Sequence, residues 1–372
     1  MSLTQHWQEV GELAAGQHLS IPVYRFGDAA SDGLHVYIQA NVHGAEVQGN
    51  AVIFQLMKRF ESMDINGSIT LVPLANPLGI NQKSGEFTLG RFDPITGVNW
   101  NREYVAPDFD MSTWFAAHAH LDDAELFAAF RQELITGCKR QLDNDWGVST
   151  GTRLAAELQQ MAHQADIVLD LHTGPKSAKH LYCPEYDLAA ACYFSIPHTL
   201  VMPNEFAGAM DESAFYPWWQ LSDIAAQHGR QIEVPVSAFT LELGNQERID
   251  LIDAEIDAEG ILAYLSHRHV IDDHVKPRKM RRNACALQDY KKLYAPMAGM
   301  VEYVAPLGKP IRAGQGLVNI LRLDLYGTEQ EIVEIKAPED CVPVLHFASA
   351  SVHLGTEMYK VMTNVFELSC DE

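Results

Sequence analysis

Residues 34–74, LHVYIQANVHGAEVQGNAVIFQLMKRFESMDINGSITLVPL, decide the fold. Apolar and β-branched residues predict strands over Leu34–Ala40 and Ser68–Leu74. Between them the apolar residues follow helical spacing, which predicts a helix from about Glu46 to Phe60 with an inner stripe of Ile53, Leu56, Met57 and Phe60. A strand, a helix and a strand in this order favour a parallel sheet, so the sequence predicts an α/β domain.

The corner between the first strand and the helix carries two side chains of the kind that bind metals. His43 and Glu46 stand three positions apart in Asn41-Val-His-Gly-Ala-Glu46, so both could reach one divalent cation such as zinc. The same spacing recurs at His6/Glu9 and, with aspartate, at His120/Asp123, His163/Asp166 and His269/Asp272. Such pairs are usually surface or capping residues, so the spacing alone does not show that His43 and Glu46 bind a metal. The residues expected around them must distinguish a metal site from an ordinary pair.

Two further strands end in residues that suit the same chemistry. The apolar run Ile167–Leu171 delivers His172, and the run Ser237–Leu241 ends at Glu242. In open parallel sheets ligands bind at the carboxyl ends of the strands. We therefore expect His43, His172 and Glu242 to meet there, although they are far apart in the sequence.

Five ordered motifs carry a family resemblance. They are His43-Gly-Ala-Glu46, Asn76-Pro77, Asn99-Trp-Asn-Arg102, Leu171-His-Thr-Gly174 and Thr240-Leu-Glu-Leu-Gly244. In this order, across most of residues 34–244, the chain resembles the succinylglutamate desuccinylase and aspartoacylase family, which has a zinc carboxypeptidase-like fold. The resemblance implies a mixed, largely parallel central sheet flanked by helices.

The resemblance also assigns roles to residues. It implies that His43, Glu46 and His172 hold one Zn²⁺ per chain, which leaves a fourth position for water. Glu242 matches the family's general acid/base, a carboxylate that takes a proton from water and passes it to the departing amine. On its own, Glu242 could equally be a carboxylate at the edge of a sheet.

The irregular loop over residues 76–104 supplies the expected anion contacts. Arg91 aligns with the arginine that steadies the oxyanion, and Asn101 with Arg102 matches the pair that grips a substrate carboxylate. An ordinary surface arginine remains the alternative for both. The family often has aspartate where this chain has Asn99, which removes a charge near the pocket. The segment 107–152 predicts a helical elaboration that could reshape the entrance.

Beyond about residue 290, short strands alternate with Gly and Pro turns, which predicts a small all-β module. Its start, Ala295-Pro-Met-Ala-Gly299, resembles a barrel-sandwich domain. We divide the chain into a hydrolase domain, residues 1–289, and a β-rich domain, residues 290–372. No exposed hairpin carries the lysine of a biotinyl or lipoyl domain, so the module is interpreted as a structural cap. The basic residues of 276–292 are interpreted as a solvated linker.

Composition excludes several partners. The formal charge of -22 opposes binding to nucleic acid or to an anionic membrane surface. The six scattered cysteines predict reduced, mostly buried thiols. Residues 1–16 lack a basic start followed by an apolar core, so we expect no secretory signal and a cytoplasmic protein. A homo-oligomer is left open.

The sequence thus predicts a zinc-dependent amidohydrolase that cleaves the amide of a small N-acyl amino acid or a related carboxylate. The first alternative is a metallocarboxypeptidase acting on small peptides, since the same metal site serves both reactions. A non-catalytic metal- or ligand-binding protein is the second, although such a protein is expected to have lost a ligand or the base.

Overall fold

The computed structural model describes residues 3–370, so Met1 and Ser2, where the segment examined for a secretory signal begins, lie outside it. A ten-stranded sheet, ordered β1-β2-β4-β3-β7-β11-β9-β10-β12-β20, forms its centre. The strands are β1 Thr4–Glu12, β2 His18–Gly27, β3 His35–Ala40, β4 Ser68–Val72, β5 Lys83–Ser84, β6 Phe87–Thr88, β7 Ile167–Gly174, β8 Lys176–Ser177, β9 His180–Pro184, β10 His198–Met202, β11 Ser237–Asn245, β12 Asn283–Ala286, β13 Tyr290–Tyr294, β14 Gly299–Tyr303, β15 Gly316–Leu321, β16 Ile332–Lys336, β17 Val342–His346, β18 Ser351–Val352, β19 Glu357–Met362 and β20 Phe366–Glu367.

Helices cover both faces of the central sheet. They are α1 Gln48–Phe60, α2 Pro77–Asn81, α3 Met111–His118, α4 Asp123–Leu142, α5 Thr150–Ala162, α6 Met210–Gln227 and α7 Leu251–His267. Alternate residues of the central strands point to opposite faces: Ile38 packs with α1 and α7, whereas its neighbour Tyr37 packs with α5 and α6. The predicted α/β class, with a mixed sheet flanked by helices, is confirmed.

Strands β3, β7 and β11 are adjacent and mutually parallel in the middle of the sheet. They are buried almost throughout because both of their faces are covered by helices. Their register places Glu242 directly beside His172. The strand-end residues selected from the sequence therefore lie at one edge of the sheet.

The last part of the chain forms two antiparallel four-stranded sheets, β13-β19-β17-β8 and β16-β15-β14-β18, around a core of their own. We call the strands β13 to β19 the C-terminal sheets, and they confirm the all-β character predicted for this region. Strand β8, which completes the first of these sheets, follows β7 almost directly in the chain. Strand β20 returns to pair with β12 of the central sheet. The C-terminal sheets are thus joined to the central sheet at two places.

The cysteine prediction needs a correction, because Cys192 and Cys370 form a disulfide across a sequence separation of 178 residues. No local motif signals this pair, since only the return of the chain end to the central sheet brings the two residues together. The other cysteines are buried thiols, as predicted: Cys138, Cys183, Cys285 and Cys341. Among residues 3–370, no helix is both long enough and apolar enough to cross a membrane.

Candidate active site

The corner after β3 is built by residues that tolerate an unusual backbone. Asn41 has a φ of 69°, in the left-handed region that asparagine accepts more readily than most residues, and its side-chain amide donates to the carbonyls of His43 and Gly44. A Cβ at Gly44 would stand 2.0 Å from the carbonyl oxygen of Gly79. The tight turn and the close approach of the next loop therefore fix where His43 and Glu46 point.

The structure brings the three predicted metal ligands together. Nδ1 of His43 lies 2.9 Å from Oε1 of Glu46, and Nδ1 of His172 lies 2.9 Å from Oε2 of the same carboxylate. One ligand atom from each residue falls within 4.8 Å of the others, and all three side chains are buried. The backbone N–H of Thr173 also donates to Oε2 of Glu46, at 3.0 Å, and holds the carboxylate in place.

Each histidine is oriented through its outer nitrogen. Nε2 of His43 lies 2.7 Å from Oδ1 of Asn99, and Nε2 of His172 lies 2.8 Å from Oδ2 of Asp170. Asp170 is fully buried, and its other oxygen accepts from Gln39 at 2.9 Å. The sequence analysis considered Asn99 only for its effect on the charge of the pocket, but in the structure Asn99 orients the His43 ring. Asp170 orients the His172 ring in the same way, and the sequence analysis did not select it.

This arrangement suits a cation. The amide oxygen of Asn99 can only accept, so Nε2 of His43 carries a proton and donates it to that oxygen. Burial would lower the pKa of His172, but Asp170 and Glu46 outweigh burial and raise that pKa well above its usual range. Burial alone would raise the pKa of Glu46, yet the two histidines outweigh it and hold that pKa well below its usual range. Two imidazole nitrogens and a carboxylate that converge in this way fit a zinc ion.

Glu242 occupies the next strand end, beside His172. Its Oε2 is buried and has no hydrogen-bond partner among residues 3–370. Burial, followed by the charge of Glu46, raises the pKa of Glu242 to about 7, against the opposing effects of His172, Arg91 and His43. A carboxyl group with such a pKa beside a metal-ligand cluster is suited to exchanging protons near neutral pH.

The anion-binding residues predicted from the loop also reach the site. Arg91 donates from Nη1 to Oε1 of Glu46 at 2.9 Å, while 46% of its side chain stays exposed. The Asn101 amide is buried, within 3.3 Å of Nε2 of His172 and of the backbone N–H of Met210 at the start of α6. Arg102 is exposed, so its guanidinium is the more accessible group of the Asn101–Arg102 pair.

These residues surround one cavity of about 140 Å³, which we call the active-site cavity. His43, His172 and Glu242 line it together with Arg91, Asn101 and Arg102. Other parts of the chain complete the lining, including Tyr182, Asp211, Leu345 and Lys360. The sequence reasoning missed these four, because they belong to strands β9, β17 and β19 and to helix α6, whose positions beside the metal-ligand residues are set by tertiary packing.

Comparisons with known proteins agree with this geometry. The sequence profile of the succinylglutamate desuccinylase/aspartoacylase catalytic domain matches residues 32–268. A crystal structure of a succinylglutamate desuccinylase/aspartoacylase family protein from Shewanella amazonensis SB2B has 66% identity and a TM-score of 0.96, covering 98% of this chain and 100% of that one. Its counterpart from Shewanella frigidimarina NCIMB 400 has 64% identity and a TM-score of 0.97, with 98% of both chains covered.

More distant structures share the fold. The ectoine utilization protein EutE (DoeB) from Ruegeria pomeroyi, solved with product bound, has 17% identity and a TM-score of 0.67, covering 97% of this chain and 95% of that one. No curated protein matches the sequence. The profile match covers more than half of the chain, and the Shewanella structures match it almost from end to end. This chain belongs to the succinylglutamate desuccinylase/aspartoacylase family.

Proposed function

We propose that this protein is a zinc-dependent deacylase that hydrolyses the amide bond of a small N-acyl amino acid or a related carboxylate. The observation that carries the proposal is the edge formed by β3, β7 and β11. There the potential ligand atoms of His43, Glu46 and His172 lie within 4.8 Å of one another. Glu242, whose Oε2 has no hydrogen-bond partner in the described part of the chain, stands on the adjacent strand. Membership of a family named for two deacylases supports the same reaction class.

In this proposal His43, Glu46 and His172 hold one zinc ion, and Asn99 and Asp170 keep the two imidazole rings in position. When bound, zinc lowers the pKa of a coordinated water and polarises the amide carbonyl. Glu242 accepts the proton of the attacking water and then delivers it to the amine nitrogen as the C–N bond breaks. Its pKa, raised to about 7, lets one group serve both transfers.

The two arginines have different tasks. In this proposal Arg91 stabilises negative charge on the carbonyl oxygen as the carbon becomes tetrahedral, and its hydrogen bond to Glu46 at the predicted metal site supports that role. Arg102 is exposed on the cavity lining and is the candidate for binding the carboxylate of the substrate. Asn101 supports Arg102, because its backbone carbonyl accepts from the guanidinium.

The decisive variant is Glu242→Gln, which keeps the shape of the side chain and removes the base. We expect kcat to fall by about 10²–10⁴-fold, with one equivalent of zinc still bound as measured by elemental analysis. Assays would compare N-acyl amino acids with short peptides, since preferential cleavage of peptides would indicate a carboxypeptidase instead. Retained turnover in Glu242→Gln, or purified protein that neither holds zinc nor responds to it, would refute the proposal.

Two further expectations remain proposals. We place the functional division of the chain near residue 290, where the strands of the C-terminal sheets begin. We also propose a cytoplasmic location, although the Cys192–Cys370 disulfide is of a kind that persists mainly in oxidising compartments. Free-thiol titration of protein isolated under alkylating conditions, together with cell fractionation, would test the location.

A further inference from the structure

The loop that carries Arg91 is tied to the strand that carries Glu242 by a second glutamate, Glu247. Glu247 lies two residues beyond the end of β11 and is exposed. Its Oε1 accepts from the backbone N–H of Thr88, and its Oε2 accepts from the Thr88 hydroxyl at 3.3 Å. Thr88 is the last residue of β6 and is buried, three positions before Arg91. No step of the amide hydrolysis described above uses this contact.

The backbone of Glu247 adopts a conformation that a glutamate disfavours. Its φ is 60°, in the left-handed region. Four non-glycine residues in the range 3–370 have a positive φ, and the other three are Asn41, His269 and Asn364, of types that accept this region more readily. A glutamate stays in such a conformation only when its contacts outweigh the cost. We attribute that compensation to the hydrogen bonds between its carboxylate and Thr88.

Hydrogen bonds around Glu247 form a closed circuit that joins three parts of the active site. The N–H of Glu247 donates to the carbonyl of Ala45 at 2.8 Å, in the turn between β3 and α1. In the same turn, the N–H of Gly44 donates to the carbonyl of Gly90 at 2.7 Å. Thr88 closes the circuit by donating to the carboxylate of Glu247. The turn after β3, the end of β11 and the loop after β6 are therefore held to one another.

Apolar packing contributes little to holding this loop. The two neighbours of Thr88 are large apolar residues that face solvent, since Phe87 is 65% exposed and Leu89 is 54% exposed. Thr88 itself is buried, and its hydroxyl also accepts from Nζ of Lys83 at 2.5 Å. Because exposed side chains gain little from burial, the hydrogen bonds to Glu247 fix the position of the loop more than packing does.

We propose that Glu247 is a positioning residue that, through Thr88, holds Arg91 where the oxyanion forms. The Arg91 side chain is 46% exposed, so few of its surroundings restrict its rotamers, and the place of its guanidinium depends on the backbone that carries it. A donor displaced by even a small distance stabilises the oxyanion less well. The inference rests on the proposed deacylase function and adds to it a residue that orients the oxyanion donor without touching the substrate.

Amide hydrogen exchange tests the anchor without any turnover. Glu247→Gly removes the carboxylate, and glycine accepts the positive φ, so the variant should fold as the wild type does in thermal melts. Peptides that contain Thr88 should exchange about tenfold faster or more in this variant. Glu86→Gln, which removes one charge from the exposed turn of the same hairpin, is the matched control and should exchange as the wild type does. Unchanged exchange in Glu247→Gly, or equal acceleration in the control, would overturn the proposal.

The kinetic test uses an N-acyl amino acid that the wild type hydrolyses. In Glu247→Gly, kcat should fall about tenfold with little change in KM, a smaller loss than the roughly 10²–10³-fold that follows removal of an oxyanion donor. Glu247→Gln keeps an acceptor oxygen for the N–H of Thr88 and should recover most of kcat. A change in KM alone, or equal losses in the glycine and glutamine variants, would contradict a positioning role.

Arg91→Met shows whether Glu247 acts through Arg91. In this background Glu247→Gly should lower kcat no further, because the group that it positions is absent. The zinc content of Glu247→Gly should equal that of the wild type by elemental analysis. Losses of kcat that multiply, or a loss of zinc, would show that Glu247 acts on another part of the site. If the wild type hydrolyses none of the amides, the deacylase function fails, while hydrogen exchange still decides whether Glu247 anchors the loop.

Discussion

Two regions meet at the active-site cavity, and they are built differently. The floor consists of His43, Glu46, His172 and Glu242 at the ends of β3, β7 and β11. The predicted metal ligands of the floor are buried. Glu46 contacts Nδ1 of both histidines, while Nε2 of each ring contacts Asn99 or Asp170. The wall consists of Leu345 and Lys360 from the C-terminal sheets, and 27% of the lysine side chain is exposed, with its Nζ 3.7 Å from Oε1 of Glu357. The proposed function places the chemistry on the rigid floor, whereas the wall borders the cavity through which a substrate would reach the floor.

The largest effect should come from breaking the floor at Glu46. The Glu46→Ala variant removes the carboxylate that both histidines and Thr173 contact, and leaves two buried imidazoles without their shared counter-charge. We expect it to lose zinc during purification and to lose activity. Elemental analysis would measure the first and steady-state kinetics the second.

Glu242→Gln is the natural companion of Glu46→Ala, because it should lose activity with zinc retained. Glu46→Ala protein that still held one tightly bound zinc ion would contradict the assignment of the floor as the metal site. Substitutions in the wall should leave the zinc content at the wild-type level, and this contrast tests the division between the two regions directly.

A smaller effect is expected at Asp170 and Asn99, which orient the two histidines of the floor. Asp170→Asn replaces the buried carboxylate that holds Nε2 of His172, so the ring loses its anionic partner. Zinc affinity should fall by about 10–100-fold, as measured by competition with a chromophoric chelator. Asn99→Asp is the reverse change at His43 and should tighten zinc binding. Equal affinities in both variants and the wild type would show that the outer nitrogens do not tune this site.

The sequence predicted the floor well because its residues lie at the ends of strands whose apolar pattern is local. His172 and Glu242 follow short apolar runs, and the register of β7 with β11 places them side by side. Asp170 was overlooked although it carried a signal, since a charged residue inside the apolar run Ile167–Leu171 needs a buried partner. The partner is His172, one of the three predicted metal ligands.

The wall was not predictable in the same way. Lys360 lies 118 positions after Glu242 in the sequence, and only the pairing of β17 with β8 brings its sheet to the cavity. Helix α6, for which the sequence analysis made no prediction, contains Pro217 in its interior, where proline normally argues against a helix. The disulfide between Cys192 and Cys370 belongs to the same class of long-range pairing.

The junction between floor and wall can be probed at Gly174. In Gly174→Ala, the new methyl group would meet Cδ1 of Leu345 at 2.7 Å and Cβ of Ser177 at 2.8 Å. Overpacking of this kind costs about 1–3 kcal/mol of stability, measurable by urea denaturation. Adding Leu345→Ala should recover part of the loss by making room. If the two changes simply added, the tight contact between β7 and β17 would not be the cause.

The smallest effect expected is a pH dependence at a second contact of the central sheet, between His198 and Gly308. His198 on β10 is buried beside Gly308, which precedes β15 in the chain, and burial, followed by the charges of His180 and Lys309, lowers its pKa from 6.5 to about 4. The folded protein therefore keeps His198 neutral at pH values where the unfolded chain would protonate it. Stability from this group is complete above pH 6.5 and is lost as the pH falls toward 4.

Between pH 7 and pH 5.5 the protonation of His198 in the unfolded chain should lower the free energy of unfolding by roughly 1 kcal/mol. The His198→Gln variant, which cannot titrate, should show a correspondingly smaller loss over that interval in urea denaturation. Buried aspartates such as Asp257, whose pKa is raised to about 6, titrate in both proteins and cancel in the difference. Identical pH slopes would mean that His198 is already accessible to protons in the folded state, and that the segment around Gly308 packs less firmly on the central sheet than its contact with His198 indicates.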